Sequence, residues 1–178
     1  RAKAEEAEKD ERPRLLLCGS IIAPGDYKLL DLIEESGGRI VGDDLCTGRR
    51  FYQDLQVMEP SLEGIAKGYM DRLPSAHLVC LRPFDEDRRF VNIVGLAKTY
   101  EALGMIYHTL RFCDPFCFKV EHIRRFVRGK LGNFPFPSVN TEYSSADIEG
   151  VRTRIESFLN MITSLRDTLE KEKSHLQD

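Results

Sequence analysis

The sequence predicts an α/β protein of the doubly wound kind: a mostly parallel sheet of four to five strands, Rossmann- or flavodoxin-like, with a long carboxy-terminal helix. Three observations carry this. Short continuous apolar runs such as Leu15-Leu16-Leu17 read as strands buried on both faces. Segments with apolar residues at helical spacing separate those runs, and such alternation folds as a parallel sheet covered by helices. Near the end, Val151, Ile155, Phe158, Leu159, Ile162, Leu165 and Leu169 form one unbroken apolar stripe.

The elements follow in order. Arg14 to Cys18 is the first strand, and it breaks at Gly19-Ser20. Asp26 is a helix cap, and Leu29, Leu30 and Ile33 give the following helix its apolar face until Gly37-Gly38 stops it. Arg39 to Val41 reads as a short second strand. Pro60 to Met70 is a helix with proline in its first turn. Residues 77–81 are a strand candidate bracketed by Pro74 and Pro83. A helix is predicted over Phe90 to Ala102, and a strand over Met105 to Phe112, which is rich in aromatic and branched residues. Phe118 to Arg128 reads as a helix ended by Gly129 or Gly132, and Pro135 to Asn140 as a strand. The final helix starts near Asp147, capped by Ser144 or Ser145, and fades into a charged tail beyond Leu169.

The chain of 178 residues is long enough for one domain with a substantial core. The expected organisation is a charged helical linker over 1–13, an α/β domain over 14–166 and a charged tail over 167–178. The absence of an initial Met and the charged start read as a piece of a longer polypeptide. Lys and Arg number 26 against 29 Asp and Glu, a balance that offers no whole-chain attraction for nucleic acid or an anionic membrane. No apolar run reaches the length of a membrane span. Five cysteines, an odd number without the spacing of a secreted framework, fit a reducing, cytoplasmic setting.

A doubly wound sheet binds its ligand outside the carboxyl ends of its strands. The segments that follow the strands are 19–26, 43–52, 113–117 and 140–147, and two of them carry cysteine, Cys46 and Cys113. These two thiols are therefore expected to meet in one crevice. The dinucleotide, P-loop, zinc-protease and α/β-hydrolase motifs are absent. Cys113-Asp-Pro-Phe-Cys117 is open to two readings, a pair of buried thiols beside a proline turn or a partial metal site. Cys18 and Cys80 lie inside apolar runs and read as core thiols. His108 stands alone among the four histidines at the functional end of a strand, as a core histidine bonded to a neighbour or a proton donor. The basic helix from Phe118 to Lys130 is a solvated face or a surface for an acidic partner or a phosphate.

Four segments taken in order, LLLCGSII, IEESGGRIVGDDLCTGRR, GMIYHTLRFCDPFCFK and VNTEYSSADIEGVRTRIESFLNM, resemble the carboxy-terminal half of the 2-hydroxyacyl-CoA dehydratase and benzoyl-CoA reductase family, of the 2-hydroxyglutaryl-CoA dehydratase D-component kind. The resemblance runs from about Arg14 to about Ile162. It implies an oxygen-sensitive iron–sulfur subunit from an anaerobic metabolism. Its 4Fe-4S cluster is held by three cysteines, of which Cys113 is the last and the other two lie upstream. It also implies two protein partners, a related second subunit and an ATP-hydrolysing activator that delivers a low-potential electron. That electron would pass to an acyl-CoA substrate. In the dehydratases a ketyl radical anion then expels the hydroxyl group; in the reductases the electrons enter an aromatic ring. Thr109 and Asp114 become candidate neighbours of the cluster, and His108 a candidate proton donor. Cys46 and Cys117 receive no role. A double-cubane-type reductase, or a non-catalytic accessory module of the same fold, are the alternatives.

Overall fold

The computed structural model describes residues 10–53, 55–71 and 88–175. The elements in chain order are β1 (Arg14–Gly19), α1 (Lys28–Glu35), β2 (Arg39–Leu45), a single 3-10 turn (Arg49–Phe51), α2 (Leu62–Asp71), α3 (Arg88–Thr99), β3 (Gly104–Leu110), α4 (Asp114–Cys117), α5 (Val120–Leu131), β4 (Ser138–Thr141) and α6 (Ile148–His175). The strands form one parallel sheet in the order β2-β1-β3-β4. The candidate strand at 77–81, with Cys80, lies outside the described residues.

The sheet is covered on both faces because its two central strands are apolar on both. Leu15, Leu17 and Ile106 point to one side and pack with Leu29 and Ile33 of α1 and Val151, Ile155 and Phe158 of α6. Leu16, Cys18, Met105 and Tyr107 point to the other and pack with Phe90 and Ile93 of α3 and Ile123 and Val127 of α5. Burying this area is the main source of stability.

Several boundaries move, each for a physical reason. β2 continues to Leu45, past the expected end at Val41. Its register with β1 shifts between Leu15 and Leu16, so that Val41 is an extra residue and the side-chain alternation reverses there. The helix expected from Phe118 begins two residues later as α5 and runs to Leu131, and the separate turn α4, with Cys113 at its start and Pro115 in its first turn, precedes it. β4 pairs from Ser138, two backbone carbonyls of Pro135 and Pro137 having first accepted hydrogen bonds from Met105 and Tyr107. The backbone of α6 remains helical to His175, beyond the expected fading.

Going from β1 through α1 leads to β2 on one side, and the chain then crosses to β3 on the other. The topological switch point therefore lies between β1 and β3. The two backbones are tightly apposed there. Gly19 has φ +120°, and a Cβ on it would lie 1.9 Å from the carbonyl oxygen of His108. The same carbonyl accepts a 2.9 Å hydrogen bond from the Ser20 amide.

Candidate active site at the carboxyl edge of the sheet

The loop after β2 is built by its two aspartates. Asp43 accepts hydrogen bonds at Oδ1 from the amides of Leu45 (3.2 Å) and Arg49 (2.8 Å), which folds 45–49 back on itself. A Cβ on Gly48 would collide with that carboxylate at 1.9 Å, so the turn needs glycine there. Asp44 is 1% exposed and Arg50 2% exposed. The guanidinium binds Asp44 through Nε to Oδ1 at 3.2 Å and through Nη2 to Oδ2 and the backbone carbonyl. Burial pushes the Asp44 carboxyl upward, and the charge of Arg50 opposes it. Asn92 of α3 adds a 3.4 Å hydrogen bond to Oδ1. This buried latch fixes the loop that carries Cys46.

The loop after β3 meets it. Cys113 starts α4, its carbonyl accepting from the amides of Phe116 and Cys117 at 3.1 Å each. Phe116 is buried between two guanidinium groups, Arg50 at 5.5 Å and Arg89 at 5.7 Å from the ring centroid. The two cations thus join the Cys113 turn to β2 and α3 by contact with an aromatic face. Cys46 and Cys113 are both half-buried and pack against the same core cluster. Burial pushes the Cys46 thiol up, Arg50 and Arg89 oppose this, and the neighbouring Cys113 adds to it. The expected meeting of the two loops is therefore present in the geometry. Cys117 is exposed, its thiol raised by partial burial and by Cys113. Cys18 is fully buried beside Asp44, and burial raises its thiol well above the ordinary value.

His108 belongs to the opposite face. Alternation along β3 directs Tyr107 and Thr109 toward the cysteine side and His108 toward α1 and α6. The ring is 2% exposed, with Nε2 2.8 Å from the Thr141 hydroxyl. Burial lowers its pKa to about 4, aided by the charge of Lys28, while the Ser20 backbone acts in the other direction. This is the setting of a neutral core histidine. Lys28 itself ties the loops after β1 and β4 together, donating to the carbonyls of Glu142 and Ser144 and approaching Asp26 (3.7 Å) and Asp147 (3.6 Å). Thr109 is buried and donates to Asn140, whereas Asp114 is exposed.

Residue patterns alone did not single out Arg50, Arg89 or Phe116. An acid and a base six positions apart across a Gly-containing turn, as in Asp44 and Arg50, was the available signal for the first. Among the described residues, no three His, Cys, Asp or Glu side chains gather closely enough to hold a metal ion. A half-buried thiol beside two buried cations is nevertheless a suitable single donor for an anionic, thiolate-held group. Cys113 could supply one thiolate to such a group. No helix among the described residues is long and apolar enough to cross a membrane.

Comparison with known proteins places the chain among dehydratase subunits. The chain is 28% identical over 163 residues to the dehydratase subunit YjiM of Escherichia coli (strain K12), which covers 91% of this chain and 41% of that protein. It is 30% identical over 159 residues to the (R)-phenyllactyl-CoA dehydratase beta subunit of Clostridium sporogenes, covering 88% of this chain and 40% of that protein. The chain thus spans about two fifths of the length of these curated relatives. Residues 1–162 match the family described as 2-hydroxyglutaryl-CoA dehydratase, D-component, and the chain belongs to that family.

Proposed function

We propose that this chain is the carboxy-terminal part of an iron–sulfur subunit that removes water from a 2-hydroxyacyl-CoA thioester, with Cys113 as one of three thiolates holding a 4Fe-4S cluster. The observation that carries the proposal is the position of Cys113. It follows β3, one of the two strands that flank the switch point, on a turn whose Phe116 ring meets two buried guanidinium groups. When bound, the cluster supplies the single low-potential electron that makes a 2-hydroxyl group a feasible leaving group.

The residues of this chain prepare the crevice. The Asp44–Arg50 latch and the Phe116 contacts hold the Cys46 and Cys113 loops in fixed relation. Arg50 and Arg89 oppose the upward push of burial on the Cys46 thiol, a field that would also favour an anionic group there. Leu16, Met105, Tyr107 and Phe116 keep water from the floor of the crevice. Two partners belong to the proposal: a related second subunit, in keeping with the beta-subunit relative, and an ATP-hydrolysing activator that donates the electron. Dehydration is favoured over ring reduction because both relatives are named dehydratase subunits.

The test uses the full-length subunit assembled with its second subunit under anaerobic conditions. With the activator, ATP and a reductant, it is expected to convert a 2-hydroxyacyl-CoA to the 2-enoyl-CoA, and omission of ATP is expected to stop the reaction. Reduction of benzoyl-CoA without dehydration of any 2-hydroxyacyl-CoA would contradict it.

A further inference from the structure

Two features of the turn before α4 oppose stability. Phe112 has φ 67°, one of two non-glycine residues with positive φ among those described. A bulky side chain in the left-handed region is disfavoured by contact between Cβ and backbone. The same residue is 90% exposed, so its ring also remains in water. The strain persists because the backbone is held on both sides. The Arg111 amide donates to Thr141 (2.8 Å) and the Cys113 amide to Leu110 (2.9 Å). Glycine or asparagine would satisfy this geometry at lower cost. Strain of this kind, maintained by its surroundings beside a candidate reactive centre, points to a use for the side chain.

The surroundings define that use. Phe118, 77% exposed, caps the far end of the same short helix, so an exposed phenyl ring precedes Cys113 and another follows the turn. The cation on this turn, Arg111, is engaged with Glu142 at 2.8 Å. Glu142 offsets the charge of Arg111, so the pair offers a substrate carboxylate little net attraction. An apolar acyl side chain would instead cover the Phe112 ring and gain from removing both surfaces from water.

We propose that Phe112 is a specificity-determining residue, selecting 2-hydroxyacyl-CoA thioesters with an apolar acyl side chain over those bearing a second carboxylate. This rests on the dehydratase reading of the crevice. The ring directly precedes Cys113 in the chain and is exposed, and the contact assigned to it is with the substrate side chain, away from the reacting atoms.

The experiment compares wild type, Phe112→Gly and Phe112→Leu in the full-length enzyme assembled with its second subunit and activator. It measures kcat/KM for phenyllactyl-CoA and for 2-hydroxyglutaryl-CoA, together with the thermal midpoint. Wild type is expected to prefer phenyllactyl-CoA. Phe112→Gly is expected to reduce that preference about tenfold or more, the scale of a lost apolar contact. Phe112→Leu should retain part of it, and the midpoint of the glycine variant should be unchanged or higher because strain is relieved. A preference that stays the same in Phe112→Gly, or equal losses on both substrates with weaker subunit association, would overturn the proposal and make Phe112 a protein-docking residue. Wild type that reduces benzoyl-CoA and dehydrates no 2-hydroxyacyl-CoA would overturn the underlying dehydratase reading, a result separate from any effect at position 112.

Discussion

Cys113 and His108 leave neighbouring parts of one strand and its turn, yet they occupy opposite chemical settings. Cys113 is half-buried on a turn whose Phe116 ring meets Arg50, whereas His108 is enclosed on the far face of the sheet and bonded to Thr141. The histidine has a consequence for stability. Its pKa is about 4 in the folded protein and about 6.5 in an unfolded chain. Between those values the unfolded state binds more protons, so stability rises with pH. The contribution is fully present above about pH 6.5 and is lost as pH falls toward 4. Its full size is on the order of 3 kcal/mol. Urea unfolding across this window is expected to give a smaller pH slope for His108→Gln than for wild type. Equal slopes would mean that the ring is not held neutral by burial. The sequence placed His108 at the right end of the right strand, and it left open which face the ring occupied. That choice depends on the register of β3 between β1 and β4, which no single strand reveals.

Legibility among the elements followed how far each one's own residues decide its structure. β1, β3 and the apolar part of α6 were readable because continuous runs or a single stripe leave one stable placement. β2 was readable only to Val41, because the irregular register and the polar Gly42-Asp43-Asp44 mask its second half. Those aspartates are tolerated there because one shapes the turn and the other is neutralised by Arg50, contacts made after the chain has folded. The approach of β1 to β3 offers a sharp test of the switch point. Gly19→Ala would place a methyl group 1.9 Å from the His108 carbonyl at a backbone φ of +120°. It should cost several kcal/mol, of the order of other changes that force packed backbones apart, and lower the thermal midpoint markedly. A midpoint within a degree or two of wild type would show that the strands are not so closely held.

For the molecule as a whole, the sheet order sets β2 and β3 on either side of β1, so that the loops after them, with Cys46 and Cys113, pack against one core cluster. The sequence foretold that meeting from strand alternation alone. It did not foretell the two buried arginines that flank Phe116, because a charged residue in a sequence reads as surface until a partner is found for it. The most direct measurement is iron and acid-labile sulfide per chain, in the full-length subunit co-expressed anaerobically with its second subunit, for wild type and Cys113→Ala. The account predicts roughly four irons in wild type and a sharp loss in the variant. Equal iron in both would make Cys113 a packing thiol, and no iron in either would return the fold to a non-catalytic accessory role.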